Sequence, residues 1–145
     1  MVIVYADDEP GVQRQVSRAL QARGHTVHLL NTGSKARLEA DTIRLRNLVR
    51  AGLKVDVLVI DGHNLLNDEH GRMLVDMTPL GVLNWLQHNG LNTGCHFILY
   101  SNDTEMVRQA QDQSDVKFAA TISKLGSQGG LQALLSSIEN LQALK

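Results

Sequence analysis

With 145 residues, 43% hydrophobic and 20% charged, the chain has the size and apolar content of one folded domain and lacks the bias of a disordered segment. Its formal charge of −1 provides no basic field, which argues against direct nucleic-acid or membrane partners. The single cysteine, Cys95, excludes an intrachain disulfide, and no apolar run nears the roughly 20 residues that span a bilayer, so a soluble cytoplasmic protein is expected.

VIVYA (2–6) is a continuous apolar run that predicts a strand covered on both faces. Pro10 to Arg23 then places Val12, Val16, Ala19 and Leu20 on one helical face and stops at Gly24. TVHLL (26–30) is a second strand, and the charged segment 34–51, with Leu38, Ile43, Leu45, Leu48 and Val49, a second helix. VDVLVI (55–60) is a third strand. The helix over 79–89 opens on Pro79, a good first-turn residue, and ends near Gly90. HFILY (96–100), a short polar helix over 103–112, FAATIS (118–123) and an amphipathic helix over 128–144 complete the series. Alternation of five strands with five helices predicts an α/β domain with a doubly wound parallel sheet and helices on both faces. One domain over 1–145 is expected, with no effector domain. Segment 62–78 is too long for an ordinary strand–helix connection and carries Leu65, Leu66, Met73, Leu74 and Val75. It is expected to pack, as an extra helical turn or a small flap.

Ligands of open parallel sheets bind at the carboxyl ends of the strands. The first strand is followed by Asp7, Asp8 and Glu9, the third by Asp61, the fourth by Ser101, and the fifth by Lys124. Acids crowded at one edge repel each other unless a hard divalent cation with oxygen ligands makes the crowding favourable.

VIVYADDEP, VDVLVID, ILYSND and TISK resemble, in order and placement, the signature positions of response-regulator receiver domains of the chemotaxis-regulator type. GHTVHLLNTG and PLGVLNWLQHNG extend the similarity over essentially the whole chain. The resemblance implies a flavodoxin-like sheet of order 2-1-3-4-5. It implies that Asp61 accepts a phosphoryl group from a histidine kinase or phosphotransfer protein in a Mg²⁺-dependent reaction of a two-component phosphorelay. Asp7, Asp8, Asp61 and the backbone carbonyl of His63 would hold Mg²⁺, with Asp8 and Asp61 as direct ligands. Lys124 would neutralise a phosphoryl oxygen and Ser101 would bond another. Such a protein is no enzyme beyond its own phosphorylation and dephosphorylation, and it signals to a downstream protein through about 103–144, with a homodimer as an open option.

Departures from the family pattern accompany the match. Leu125 follows Lys124 where the family has proline, so a cis bond is not expected there; Thr121 replaces the aromatic switch residue; and 62–78 replaces a short connection. Phosphorylation chemistry is expected with an unconventional readout. Each residue also has a plainer reading alone. Asp7, Asp8 and Glu9 suit a helix start, Ser101 a helix cap, Asp61 a solvated strand end and Lys124 the surface. Their joint placement favours the receiver site. Asp103 would sit near its entrance. His63, Asp68, Glu69 and His70 lack tight ligand spacing for a second metal, Cys95 reads as an inert thiol, and Trp85 as a packing residue. The alternatives are a phosphorylation-independent pseudo-receiver docking module and, behind it, a metal-dependent nuclease or hydrolase suggested by DGHN (61–64).

Overall fold

The computed structural model describes residues 1–91, 94–103, 105–108, 118–125 and 130–144. Its five-stranded sheet contains β1 (Val2–Asp7), β2 (Thr26–Asn31), β3 (Val57–Asp61), β6 (His96–Ser101) and β7 (Ala120–Ser123), in the order β2-β1-β3-β6-β7 and all parallel. Counting these strands alone gives the expected 2-1-3-4-5 order. The helices are α1 (Pro10–Ala22), α2 (Lys35–Arg50), α3 (Pro79–His88) and α4 (Leu131–Ala143), and residues 105–108 are also helical. The remainder of the helix expected over 103–112, from 109 onward, lies outside the described residues, as do residues 128–129 of the expected last helix.

Strand alternation explains why the sheet is covered twice. Ile3, Tyr5, Val57, Val59, Ile98 and Tyr100 point to one side, where Val16 and Leu20 of α1 and Leu134, Leu135 and Ile138 of α4 meet them. Val4, Ala6, Leu58 and Ile60 point to the other, against Leu38 and Leu45 of α2 and Val82, Leu83 and Leu86 of α3. All five residues of β3 are buried, Asp61 included. Ser34 caps α2 by accepting from the Arg37 amide, and Thr78 caps α3 by accepting from the Gly81 amide ahead of Pro79 at the first turn. Trp85 packs at the edge of the second cluster and donates its indole N–H to Thr42 Oγ1 at 3.0 Å; Cys95 is half-buried against the same cluster.

The long segment is a flap and not an added turn of helix. It forms an antiparallel hairpin of β4 (Asn64–Asn67) and β5 (Met73–Met77). Asp68 makes the turn by accepting from the amides of His70 and Arg72, each at 2.9 Å, with Gly71 at φ +76°. Of the five apolar residues expected to pack, Leu66 joins the core, while Leu65, Met73, Leu74 and Val75 are exposed. The hairpin base is held by Asn64, which is fully buried. Its amide donates to the carbonyls of Asp61 (2.8 Å) and Met77 (3.2 Å) and its oxygen accepts from Thr32 Oγ1 (2.6 Å). Asn67 adds two bonds to the Gly33 carbonyl, both at 3.0 Å, so β4 lies against the β2–α2 loop.

Asn64→Ala takes a partner from two buried polar groups, Thr32 Oγ1 and the Asp61 carbonyl, and from the part-buried Met77 carbonyl; a buried group costs on the order of 1–3 kcal/mol when unsatisfied. The expected outcome is a loss of roughly 2–4 kcal/mol in urea unfolding, with faster amide exchange in 64–77 than in β1 or β3. Uniform exchange across both regions contradicts the anchoring role.

Candidate functional site

The parallel sheet brings the ends of β1, β3, β6 and β7 to one edge, and the expected residues arrive there together. Carboxylate oxygens of Asp7, Asp8 and Asp61 lie within 4.8 Å of one another, and among the described residues this is the one group of three acidic, histidine or cysteine side chains so arranged. Lys124 Nζ stands 2.9 Å from Asp7 Oδ2 and 3.3 Å from Asp61 Oδ1, and 5.1 Å from the centre of the Tyr100 ring. Lys124 is placed by its own amide, which donates to the Ser101 carbonyl at 2.8 Å, continuing the β6–β7 ladder one step beyond the strands.

Each acid has its own setting. Asp7 is fully buried: Oδ1 accepts from the Glu9 amide at 2.9 Å, and Oδ2 accepts from the Tyr5 hydroxyl at 2.5 Å as well as from Lys124. Asp8 Oδ2 accepts from the Leu65 amide at 3.0 Å, which joins the acidic edge to the hairpin. Glu9 is exposed and stands outside the cluster, at the start of α1. Ser101 is buried with Oγ accepting from the Asp103 amide at 3.0 Å. It lies so near Gly62 that a Cβ there would come within 2.2 Å of Ser101 Oγ, so any side chain at 62 would displace the hydroxyl.

Two contacts were not foreseen. The His63 ring meets Asp103 Oδ2 through Nε2 at 2.6 Å, so this side chain braces the post-β3 loop to the post-β6 loop. The brace spans 40 residues of sequence, and no local pattern announces it. The Tyr5–Asp7 bond had a readable signal, since residues two apart in a strand share a face. Among the described residues His63, Asp68, Glu69 and His70 form no metal-ligating group; His70 contacts Glu69 on the exposed hairpin turn, whereas His63 meets Asp103. Leu125 is exposed, the described residues contain no cis peptide bond, and Thr121 is half-buried on β7 opposite Leu99.

The electrostatics follow from crowding. Burial, followed by the charge of Asp7, pushes Asp61 up to about 7, although Lys124 pulls the other way. Asp8 is also raised, by burial first and by Asp7 in part, against the Leu65 amide that favours its charged form. Burial opposes the charge on Lys124, yet Asp7 and Asp61 outweigh it and hold the ammonium above its ordinary value. A group of oxygen-only donors with too much negative charge for one lysine fits a hard divalent cation such as Mg²⁺. Asp7, Asp8 and Asp61 are the residues that would hold it.

No family model matches the sequence, and no curated protein matches it. Solved structures do. The chemotaxis response regulator CheY4 of Vibrio cholerae is 16% identical with a TM-score of 0.60, covering 97% of each chain. The receiver domain of Francisella response regulator 1452 is 18% identical with a TM-score of 0.56, covering 99% of this chain and 98% of that one. The N-terminal domain of a response regulator/sensory box/GGDEF three-domain protein from Carboxydothermus hydrogenoformans is 17% identical with a TM-score of 0.61, covering 99% and 95%. The fold is therefore that of a receiver domain. Among the described residues, no helix is long and apolar enough to cross a membrane.

Because folding favours protonated Asp61, its contribution to stability is complete below its unfolded value of 3.8 and is lost as pH rises through about 7. In divalent-free buffer, the stability of the wild type relative to Asp61→Asn is expected to fall by roughly 2–4 kcal/mol between about pH 4 and pH 8. Urea unfolding across that range checks this; parallel pH curves for the two proteins contradict it.

Proposed function

We propose that this chain is a response-regulator receiver: a Mg²⁺-dependent phosphoacceptor that takes a phosphoryl group on Asp61 from a histidine kinase or phosphotransfer protein. The observation that carries this reading is the contact of one ammonium, Lys124, with two members of a three-carboxylate cluster at the carboxyl edge of a receiver-type sheet. In the reaction an Asp61 carboxylate oxygen forms the new O–P bond as the P–N bond of the donor phosphohistidine breaks, and the imidazole leaves with the bonding electrons. Such a transfer depends on in-line placement and charge neutralisation more than on covalent help.

The protein's own residues supply much of both. Packing of β3 on both faces fixes the backbone of Asp61. Lys124 lies beside Asp61 Oδ1, which supports a role in meeting a phosphoryl oxygen added there. The Ser101 hydroxyl accepts from Asp103 and retains its own hydrogen, which can be donated to another phosphoryl oxygen. When bound, Mg²⁺ would offset the negative charge of the incoming group, held by Asp8 and Asp61 with the carbonyl of His63 as a further ligand and Asp7 behind them.

The protein turns over no separate substrate in this reading; it catalyses its own phosphorylation and dephosphorylation and signals through protein contacts. The expected output surface is about 103–144. The bond from the Leu65 amide to Asp8 also gives the hairpin a link to the site, which supports a readout that differs from the family pattern.

Beryllofluoride with Mg²⁺, followed by backbone NMR, tests the proposal. Expected are Mg²⁺-dependent shifts at Asp61, Ser101, Lys124 and Leu65 that vanish in Asp61→Asn. Absence of any Mg²⁺-dependent change in the wild type overturns it in favour of a docking module whose partner binding is indifferent to Asp61→Asn.

A further inference from the structure

Tyr5 precedes Asp7 by two residues on β1, so both side chains lie on the sheet face that α1 and α4 cover. Its ring is fully buried and meets Tyr100 edge-on, with ring centres 6.4 Å apart. Phenylalanine would supply the same apolar bulk at this position. What the hydroxyl adds is a 2.5 Å bond to Asp7 Oδ2. With Lys124 on the same oxygen and the Glu9 amide on Oδ1, both oxygens of Asp7 are occupied by the protein itself. Asp8 and Asp61 are less tied: Asp8 accepts from the Leu65 amide through Oδ2, and Asp61 contacts Lys124 through Oδ1.

We infer that Tyr5 is a positioning residue that sets the cation preference of the site, by tying Asp7 back so that Asp8 and Asp61 remain as the direct carboxylate ligands. The inference rests on the receiver reading given above. Mg²⁺ is small, demands near-octahedral geometry, and is bound through one or two carboxylates while keeping several waters; Ca²⁺ accepts more oxygen ligands in looser geometry. Releasing Asp7 as a third direct carboxylate therefore favours Ca²⁺ more than Mg²⁺. Tyr5 exerts this effect through Asp7 alone. A tyrosine that only filled space would, on losing its hydroxyl, move the two affinities together.

Calorimetric titration of the full chain with Mg²⁺ and, separately, with Ca²⁺ tests this for the wild type, Tyr5→Phe, Asp7→Asn and the double variant. Tyr5→Phe is expected to raise the affinity for Ca²⁺ relative to Mg²⁺ by about fivefold or more. On the Asp7→Asn background the same change is expected to leave the ratio unaltered. An unchanged ratio in Tyr5→Phe, or an equal change with and without Asp7, overturns the role of Tyr5 while leaving the receiver reading in place. A wild type that binds neither ion overturns both. A second measurement needs no variant: the ¹³C resonance of the Tyr5 ring carbon bearing the hydroxyl is expected to hold its position on saturation with Mg²⁺. A shift of that resonance marking loss of the bond to Asp7 contradicts the inference even if Tyr5→Phe does not fold.

Discussion

The structure depends on holding three carboxylates against each other at the end of a buried sheet. Their repulsion is only partly offset by Lys124, which touches Asp7 and Asp61 and is itself largely withdrawn from water. A buried carboxylate is expensive when charged and unpaired, and the response here is visible in Asp61, whose affinity for a proton rises toward neutrality. The same strain favours whatever brings positive charge into the cleft. Crowding that is unfavourable for folding alone gives the cleft the oxygen donors and the excess negative charge that suit a hard cation.

That arrangement is possible because the rest of the sheet is rigid. Both sides of β1 and β3 are packed by helices, so the residues at their ends have little freedom to separate. Parallel pairing of β3 with β6 and of β6 with β7 carries Asp61, Ser101 and Lys124 to the same edge from points far apart in the chain. The hairpin is less deeply buried but touches the site at two places, Asn64 on the Asp61 carbonyl and the Leu65 amide on Asp8, and rests on the β2–α2 loop through Asn67. A short series of hydrogen bonds thus connects Asp8 and the Asp61 backbone to the β4–β5 hairpin.

Much of this was legible in the sequence because it is written in local patterns. Continuous apolar runs such as VDVLVI reveal a strand covered twice, and the residue that ends each run reveals the edge chemistry; Asp7, Asp8, Asp61, Ser101 and Lys124 were all found in this way. The hairpin was legible only as an excess of length. Its strands are short, a register shift between Leu66 and Asn67 interrupts them, and much of their apolar surface faces outward, so neither strand nor helix periodicity stands out. The His63–Asp103 brace joins two loops and has no periodic signal at all. Tyr5 is legible only in part: its spacing from Asp7 puts both on one face of β1, but in an apolar strand it reads as bulk until Asp7 is known to be buried beside it.

The central claim is that the carboxylate of Asp61, in this setting, accepts a phosphoryl group. Intact-protein mass spectrometry after incubation with a small acyl phosphate tests it most directly. The account predicts the gain of one phosphoryl group per chain, dependent on Mg²⁺, mapped to Asp61 and absent from Asp61→Asn. No gain in the presence of Mg²⁺, or a gain that persists in Asp61→Asn, would contradict it.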